Sequence, residues 1–266
     1  VFLNPAGIVN AASSAPFTAG VSRGEFLTIY GTNLAPRLEV NTDFPRNLAG
    51  VQVLINNKPA LLYFVSPTQI SLVVPYSTND ILAAIQVVNN GTASNSTTLY
   101  VNAATPGIFT KPLPGFGRAA ALHADNSEIT QENPARPGET IQVFMAGLGD
   151  VTPPITEGDL SPASTVANVI GALVDGEVAN VTYAGLAPQL RGLYQMNIVI
   201  PQGARDGFDY VDIGSNEINA RNSQAQVWVS NPSNPRRALS EAGARTNDRR
   251  AGSAGFPPRF DRTALR

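Results

Sequence analysis

The sequence predicts an all-β chain folded as two tandem β-sandwiches with an extended segment at each end. Three observations carry that expectation. Gly (23) and Pro (21) are dense among the 266 residues, and charged residues make up only 14%. At that density Pro and Gly interrupt any long helix, while 43% hydrophobic residues still supply a core. Short alternating apolar runs are punctuated by turn residues roughly every 8–12 positions. Finally, the pattern occurs twice.

The first copy opens at Arg23-Gly24-Glu25 and runs through Phe26–Gly31; the second opens at Pro137-Gly138-Glu139 and runs through Thr140–Gly147. Val51–Ile55 then turns at Asn56-Asn57 and resumes as Pro59–Tyr63, as Ala172–Val174 turns at Asp175-Gly176 and resumes as Val178–Tyr183. Asn-Asn and Asp-Gly tolerate positive φ, which tight hairpin turns require. Gln69–Val74 stops at Pro75 and Tyr194–Ile200 stops at Pro201, because Pro cannot donate to a continuing ladder. Ala84–Val88 turns at Asn90-Gly91, and Leu99-Tyr100-Val101 matches Val227-Trp228-Val229.

These matches divide the chain into an extension at 1–6, a first sandwich at 7–104, a second at 105–230 and a tail at 231–266. Ile108–Thr110 is left open to either domain. Pro112, Pro114, Gly115 and Gly117 read as a stiff, exposed connection between the two. The Gly149–Thr165 segment, with Pro153-Pro154 and Glu157-Gly158-Asp159, reads as a surface insertion.

Several segments carry a family resemblance. Gly24–Leu34 resembles the opening strand of immunoglobulin-like IPT/TIG modules. Val9–Ser13, Ala104–Phe109, Asn133–Gly138, Tyr183–Pro188 and Gly192–Ile198 resemble the Solibacter/Acidobacteria-type C-terminal domain of secreted proteins. The resemblance covers about residues 7–230. It implies two immunoglobulin-like sandwiches and an extracellular or cell-surface setting, and it carries no catalytic residues. The tail after Asn231 departs from it.

Composition narrows the chemistry. With no Cys, disulfides, thiolate metal sites and cysteine nucleophiles are excluded. The one histidine, His123, stands near Asp125 at an expected strand end and reads as a surface or hairpin residue. No serine-hydrolase elbow, zinc-protease motif or phosphate loop occurs. Asp206, Asp209 and Asp212 suggest calcium only weakly, since Asp209 and Asp212 point to opposite strand faces. The expectation is therefore no enzyme, no catalytic or metal site and no cofactor. No apolar run reaches the ~18–20 residues of a membrane helix. The first residue is Val rather than Met, so a mature or trimmed product is expected.

Charge is unevenly placed. After Asn231 there are eight Arg against Glu241, Asp248 and Asp261, a balance of +5; ten basic and seventeen acidic residues leave the rest at −7. An acidic body disfavours nucleic acid as a partner. The sequence points to a non-catalytic structural or adhesion protein that self-associates through its ends, as a fibre or surface layer. The candidate interface is Val1, Phe2 and Leu3 with Arg236, Arg237, Arg245, Arg249, Arg250, Phe256, Arg259, Phe260 and Arg262. Val1–Leu3 would either pair with their own first domain or add to a neighbour's sheet. The alternatives are an accessory domain of a larger secreted protein or a module for a surface glycan, for which Tyr63, Tyr183, Tyr194, Tyr210 and Trp228 are the candidate aromatics.

Overall fold

The computed structural model describes residues 1–112, 116–156, 164–168, 170–188, 190, 192–215 and 225–236. Strands of the first sandwich are β1 (Phe2–Asn10), β2 (Val21–Ser22), β3 (Phe26–Thr32), β4 (Glu39–Val40), β5 (Val51–Ile55), β6 (Lys58–Pro59), β7 (Leu61–Val65), β8 (Gln69–Val73), β9 (Leu82–Asn89) and β10 (Thr92–Asn102). They form two five-stranded sheets, β1-β3-β8-β7-β4 and β2-β10-β9-β5-β6. Alternation buries one residue in two, and Leu27, Ile29, Val53, Ile55, Leu62, Ile70, Leu72 and Ile85 fill the space between the sheets.

The second domain repeats the plan. Its strands are β11 (Gly107–Ile108), β12 (Thr110–Lys111), β13 (Gly117–Ala119), β14 (Ala121–Leu122), β15 (Thr140–Ala146), β16 (Val151–Thr152), β17 (Thr165–Val166), β18 (Ile170–Val174), β19 (Glu177–Leu186), β20 (Tyr194–Val199), β21 (Gly207–Ser215) and β22 (Ala225–Val229). A separate core of Ile141, Val143, Met145, Val174, Met196, Ile198, Val211, Ile213 and Val227 fills it.

Here one path of strands covers both faces. The first half of β19 pairs with β18 and its second half with β20, the strand bending at a bulge between Val181 and Tyr183. In the first domain the same segment is cut at Ala60: β6 belongs to one sheet and β7 to the other. Pro59, lacking an N–H, sits at the sheet edge where none is needed. The expected single strand Pro59–Tyr63 is thus a crossing between sheets.

The predicted hairpin turns form at left-handed residues: Asn56 and Asn57 (φ 48° and 63°), Asn90 and Gly91 (47° and 82°), Asp175 and Gly176 (54° and 82°).

Three boundaries differ from those read in the sequence. Residues 1–6 are no extension, because β1 starts at Phe2 and pairs with β3. Residues 231–236 are no free tail: Asn231 is buried, donates to the Ala204 carbonyl at 2.6 Å, and Pro235 bridges Asp206. The Pro112–Gly117 region joins β12 to β13 inside the second domain and does not link the domains; Leu113–Gly115 lie outside the described residues. The link is Ala103–Pro106, between β10 and β11. Ile108 belongs to the second core. Among the described residues, no helix is long and apolar enough to cross a membrane.

Candidate functional site

Both repeats build the same turn. Gly24 donates to the Val74 carbonyl at 2.9 Å and Gly138 to that of Ile200 at 2.8 Å, while Val74 and Ile200 donate back to Glu25 and Glu139. Each glutamate carboxylate then accepts from the backbone three residues earlier, Ser22 N–H at 2.7 Å and Arg136 N–H at 2.9 Å. The other carboxylate oxygen faces a residue at the end of the neighbouring strand, the last of β1 in one repeat and the one just after β14 in the other. That residue is Asn10 opposite Glu25 and His123 opposite Glu139.

What covers the two turns differs. Over Glu25 lies the start of the second domain. Thr105 donates its hydroxyl to Glu25 Oε2 at 2.6 Å, Asn10 Nδ2 donates to Oε1 at 2.8 Å, and the same amide reaches the Thr105 carbonyl at 3.0 Å. Glu25 is fully buried, and that burial pushes its pKa from 4.5 up to about 7 although the Thr105, Ser22 and Asn10 hydrogen bonds pull the other way.

A second set of contacts lies beside it. Tyr194 of β20 is wholly buried and donates to the Gly149 carbonyl at 2.6 Å; its oxygen is 2.8 Å from that of Tyr76, which precedes β9. Tyr76 packs against the second core, and burial pushes its pKa to about 12 and that of Tyr194 well above the usual phenol value. Arg23 reaches Asp150 at 2.5 Å, a half-exposed pair at the rim. Asn168 donates to the Ala103 carbonyl at 2.9 Å. At Gly149 the backbone has φ +83°, and a Cβ there would overlap the Ala103 carbonyl oxygen.

This joint draws on both repeats and on the segment read as an insertion. In the sequence Glu25 reads as a turn residue, and Tyr194 as the start of a strand and a candidate aromatic. Nothing local distinguishes Glu25 from Glu139; the difference is what the other domain places over it.

Of the two readings for the N-terminus, pairing with its own domain is the one found: Leu3 is buried in the first core, and its backbone exchanges two hydrogen bonds with the Asn95 side chain, at 2.9 and 2.8 Å. Val1 packs partly against that core, whereas Phe2 is half exposed. Arg236 pairs with buried Asp209, whose pKa is raised by burial and by neighbouring Asp175 despite that partner. Arg205 clasps Asp175 through two nitrogens, both at 2.5 Å, and holds its carboxyl below the usual range. Arg237, Arg245, Arg249, Arg250, Phe256, Arg259, Phe260 and Arg262, with Glu157 and Asp159, lie outside the described residues.

Asp206 accepts from the Asn231 N–H at 2.8 Å, so Asp206 and Asp209 are each engaged with the chain's own groups. His123 has both ring nitrogens engaged, Nδ1 with Glu139 and Nε2 with the Asn133 carbonyl at 3.1 Å. Burial disfavours its charge, but the Glu139 and Asn133 hydrogen bonds outweigh that and raise its pKa. Tyr63 packs with Phe26 and Phe44, Tyr183 donates to the Leu186 carbonyl at 2.6 Å, and Trp228 stacks on Phe208 at 4.7 Å. Tyr210 is half exposed. Tyr100, which was not singled out, is 67% exposed; its place between buried Leu99 and half-buried Val101 is the alternation signal that could have found it.

Comparison with known proteins bears on the first sandwich. Residues 11–101 match the family model of the IPT/TIG domain, an immunoglobulin-like module. None of the curated proteins matches the chain. Among solved structures, SGBP-B from a complex xyloglucan utilization locus in Bacteroides uniformis is similar at 13% identity over 79% of this chain and 45% of that one, with a TM-score of 0.25. A tandem pair of titin Ig domains is similar at 10% identity over 79% of this chain and 89% of that one, with a TM-score of 0.23. The chain thus spans less than half the length of the first of these.

Proposed function

We propose that the chain is a non-catalytic structural module of an extracellular or cell-surface protein, in which two sandwiches are held as a rod of fixed angle. The observation that carries this reading is the buried joint. Glu25, Asn10 and Thr105 saturate one another across the domain boundary, and Tyr194 and Tyr76 do so beside them. Buried polar networks whose members are all satisfied favour one geometry, because most other angles would leave a donor or acceptor without a partner. The tied imidazole of His123 supports a role without catalysis, since neither nitrogen is free to take a proton from a substrate. The extracellular setting rests on the family resemblance.

The chain has no Cys, so a pair of introduced cysteines labels it cleanly. Leu38→Cys and Val178→Cys place spin labels on exposed sites of the two domains. A single narrow distance distribution is expected, broadening when Glu25→Ala and Tyr194→Phe are combined. A broad or bimodal distribution in the otherwise native chain would refute the rigid rod.

Self-association is the finer part of the proposal. Leu3 is committed to its own core, so assembly rests on half-exposed Phe2 and on the arginines beyond Arg236, attracted by an acidic body. Light scattering of the full chain and of residues 1–236 tests it. The full chain should form larger species at low salt and lose them at high salt; equal masses under both conditions would end this part.

A further inference from the structure

We infer that the outer face of β5, β9 and β10 is a binding site for a short neutral saccharide. This goes beyond the structural role above and does not depend on it. A cleft of about 350 Å³ opens there, within the range of ~300–1,000 Å³ typical of small-ligand sites. Its floor is the outward row of three strands, where Ser96 lies opposite Gln86, Gln86 opposite Leu54, and Thr98 opposite Ala84. Ala84 and Ser96 are small and leave space above the sheet at this point.

The groups around the floor suit a polyol. Asn56, in its left-handed turn, donates to Asp80 Oδ2 and to the Leu82 carbonyl, both at 2.8 Å, and accepts from Ala84 N–H at 2.7 Å. Its amide is saturated, so its part is to hold Asp80 at the rim. Asp80 Oδ1 has no hydrogen-bond partner among the described residues and remains an acceptor for a hydroxyl. Gln86 donates one amide hydrogen to the Ser94 carbonyl at 2.9 Å and keeps its oxygen for a ligand. Asn57 and Ser96 add an amide and a hydroxyl that bond to nothing else among the described residues.

An apolar surface lies at the other end of the row. Tyr100 stands opposite Leu82, 67% and 46% exposed. A flat ring of this kind covers the C–H face of a pyranose, while its phenol remains in water. From Ser96 to Tyr100 is four residues, about 14 Å along a strand, which suits two sugar rings.

The chemistry selects among ligands. Among the described residues that line the cleft, Asp80 is the one acidic side chain and none is basic, so an acidic sugar is disfavoured there. A peptide strand would add at a sheet edge, whereas the cleft lies on the face over β9, which is paired on both sides by β5 and β10.

The second repeat supplies an internal contrast. Trp228 takes the place of Tyr100 and Phe208 that of Leu82, and the two rings stack. The position of Ala84 is taken by Tyr210, whose ring occupies the outward row where the first repeat has a methyl group. Ala84→Tyr therefore transplants a side chain that this fold already carries at that position.

The test uses nitrogen-15-labelled full chain titrated with cellobiose, maltose, xylobiose and mannobiose as neutral probes and digalacturonate as an anionic one. At least one neutral disaccharide should shift the amide resonances of Asn57, Ala84, Gln86 and Ser96 saturably. Tyr100→Ala should weaken that binding about tenfold, as truncating a central aromatic does, and Ala84→Tyr should abolish it. Tyr100→Ala, at an exposed site, decides the matter should Ala84→Tyr fold poorly, circular dichroism serving as the check. The assignment is overturned if no neutral disaccharide moves these amides, if digalacturonate binds more tightly, or if Tyr100→Ala binds like the native chain.

Discussion

Replacing Glu25 with Gln isolates the electrostatics of the domain joint. A carboxyl raised from 4.5 in the unfolded chain to about 7 in the folded one binds more protons folded than unfolded between those two values. Stability contributed by this group is therefore fully present below pH 4.5, falls as pH rises through that window, and levels off above pH 7. At about 1.4 kcal/mol per pH unit, the shift corresponds to a loss of about 3 kcal/mol. The proper measurement is the difference between the native chain and Glu25→Gln in urea unfolding from pH 4 to pH 8. It should be followed by far-ultraviolet circular dichroism and by fluorescence of Trp228, the only Trp. His123 has a raised pKa as well, so its contribution is lost in the same direction, but it is identical in both proteins and cancels. The native chain should lose up to about 3 kcal/mol more than the variant across the window. Profiles that stay parallel would mean that burial does not govern Glu25, and the account of the joint would fail with it.

Three further outcomes follow from the packing. Tyr194→Phe leaves the Gly149 carbonyl without its donor and should cost about 1–3 kcal/mol in unfolding free energy; no measurable loss would remove that contact from the joint. Gly149→Ala should destabilise the chain far more than Gly176→Ala, because the first would overlap the Ala103 carbonyl while nothing lies within 4 Å of the second. The second carries only backbone strain of about 1 kcal/mol, and equal thermal midpoints would contradict the difference. Leu3→Ala should cost about 2–5 kcal/mol and Phe2→Ala well under 1 kcal/mol; similar values in calorimetry would show that β1 does not dock as described.

The parts of the fold legible in the sequence are those governed by local chemistry. Asn56-Asn57, Asn90-Gly91 and Asp175-Gly176 announce hairpins because few other residues tolerate positive φ, and the alternation of Val51–Ile55 or Tyr194–Val199 assigns a buried face directly. The crossing at Ala60 was not legible. Pro59 and Leu61 both suit a strand, and only the competition between two sheets for the segment breaks it. Nor was the joint, since Glu25 and Glu139 carry the same sequence pattern and are told apart by Thr105, eighty residues away. The cleft was missed for a related reason. Ala84 and Ser96 draw no attention as residues; their meaning is the space they leave beside Asp80 and Tyr100.

The shared turn has a consequence for building longer arrays. At the first unit its acid group is fully buried beneath the module that follows, whereas at the second an imidazole lies against it and the side chain stays partly exposed. Stacking another sandwich on that pole in the same manner would require His123 to yield its place, and Asn at position 123, copying Asn10, is the smallest edit that would recreate the open socket.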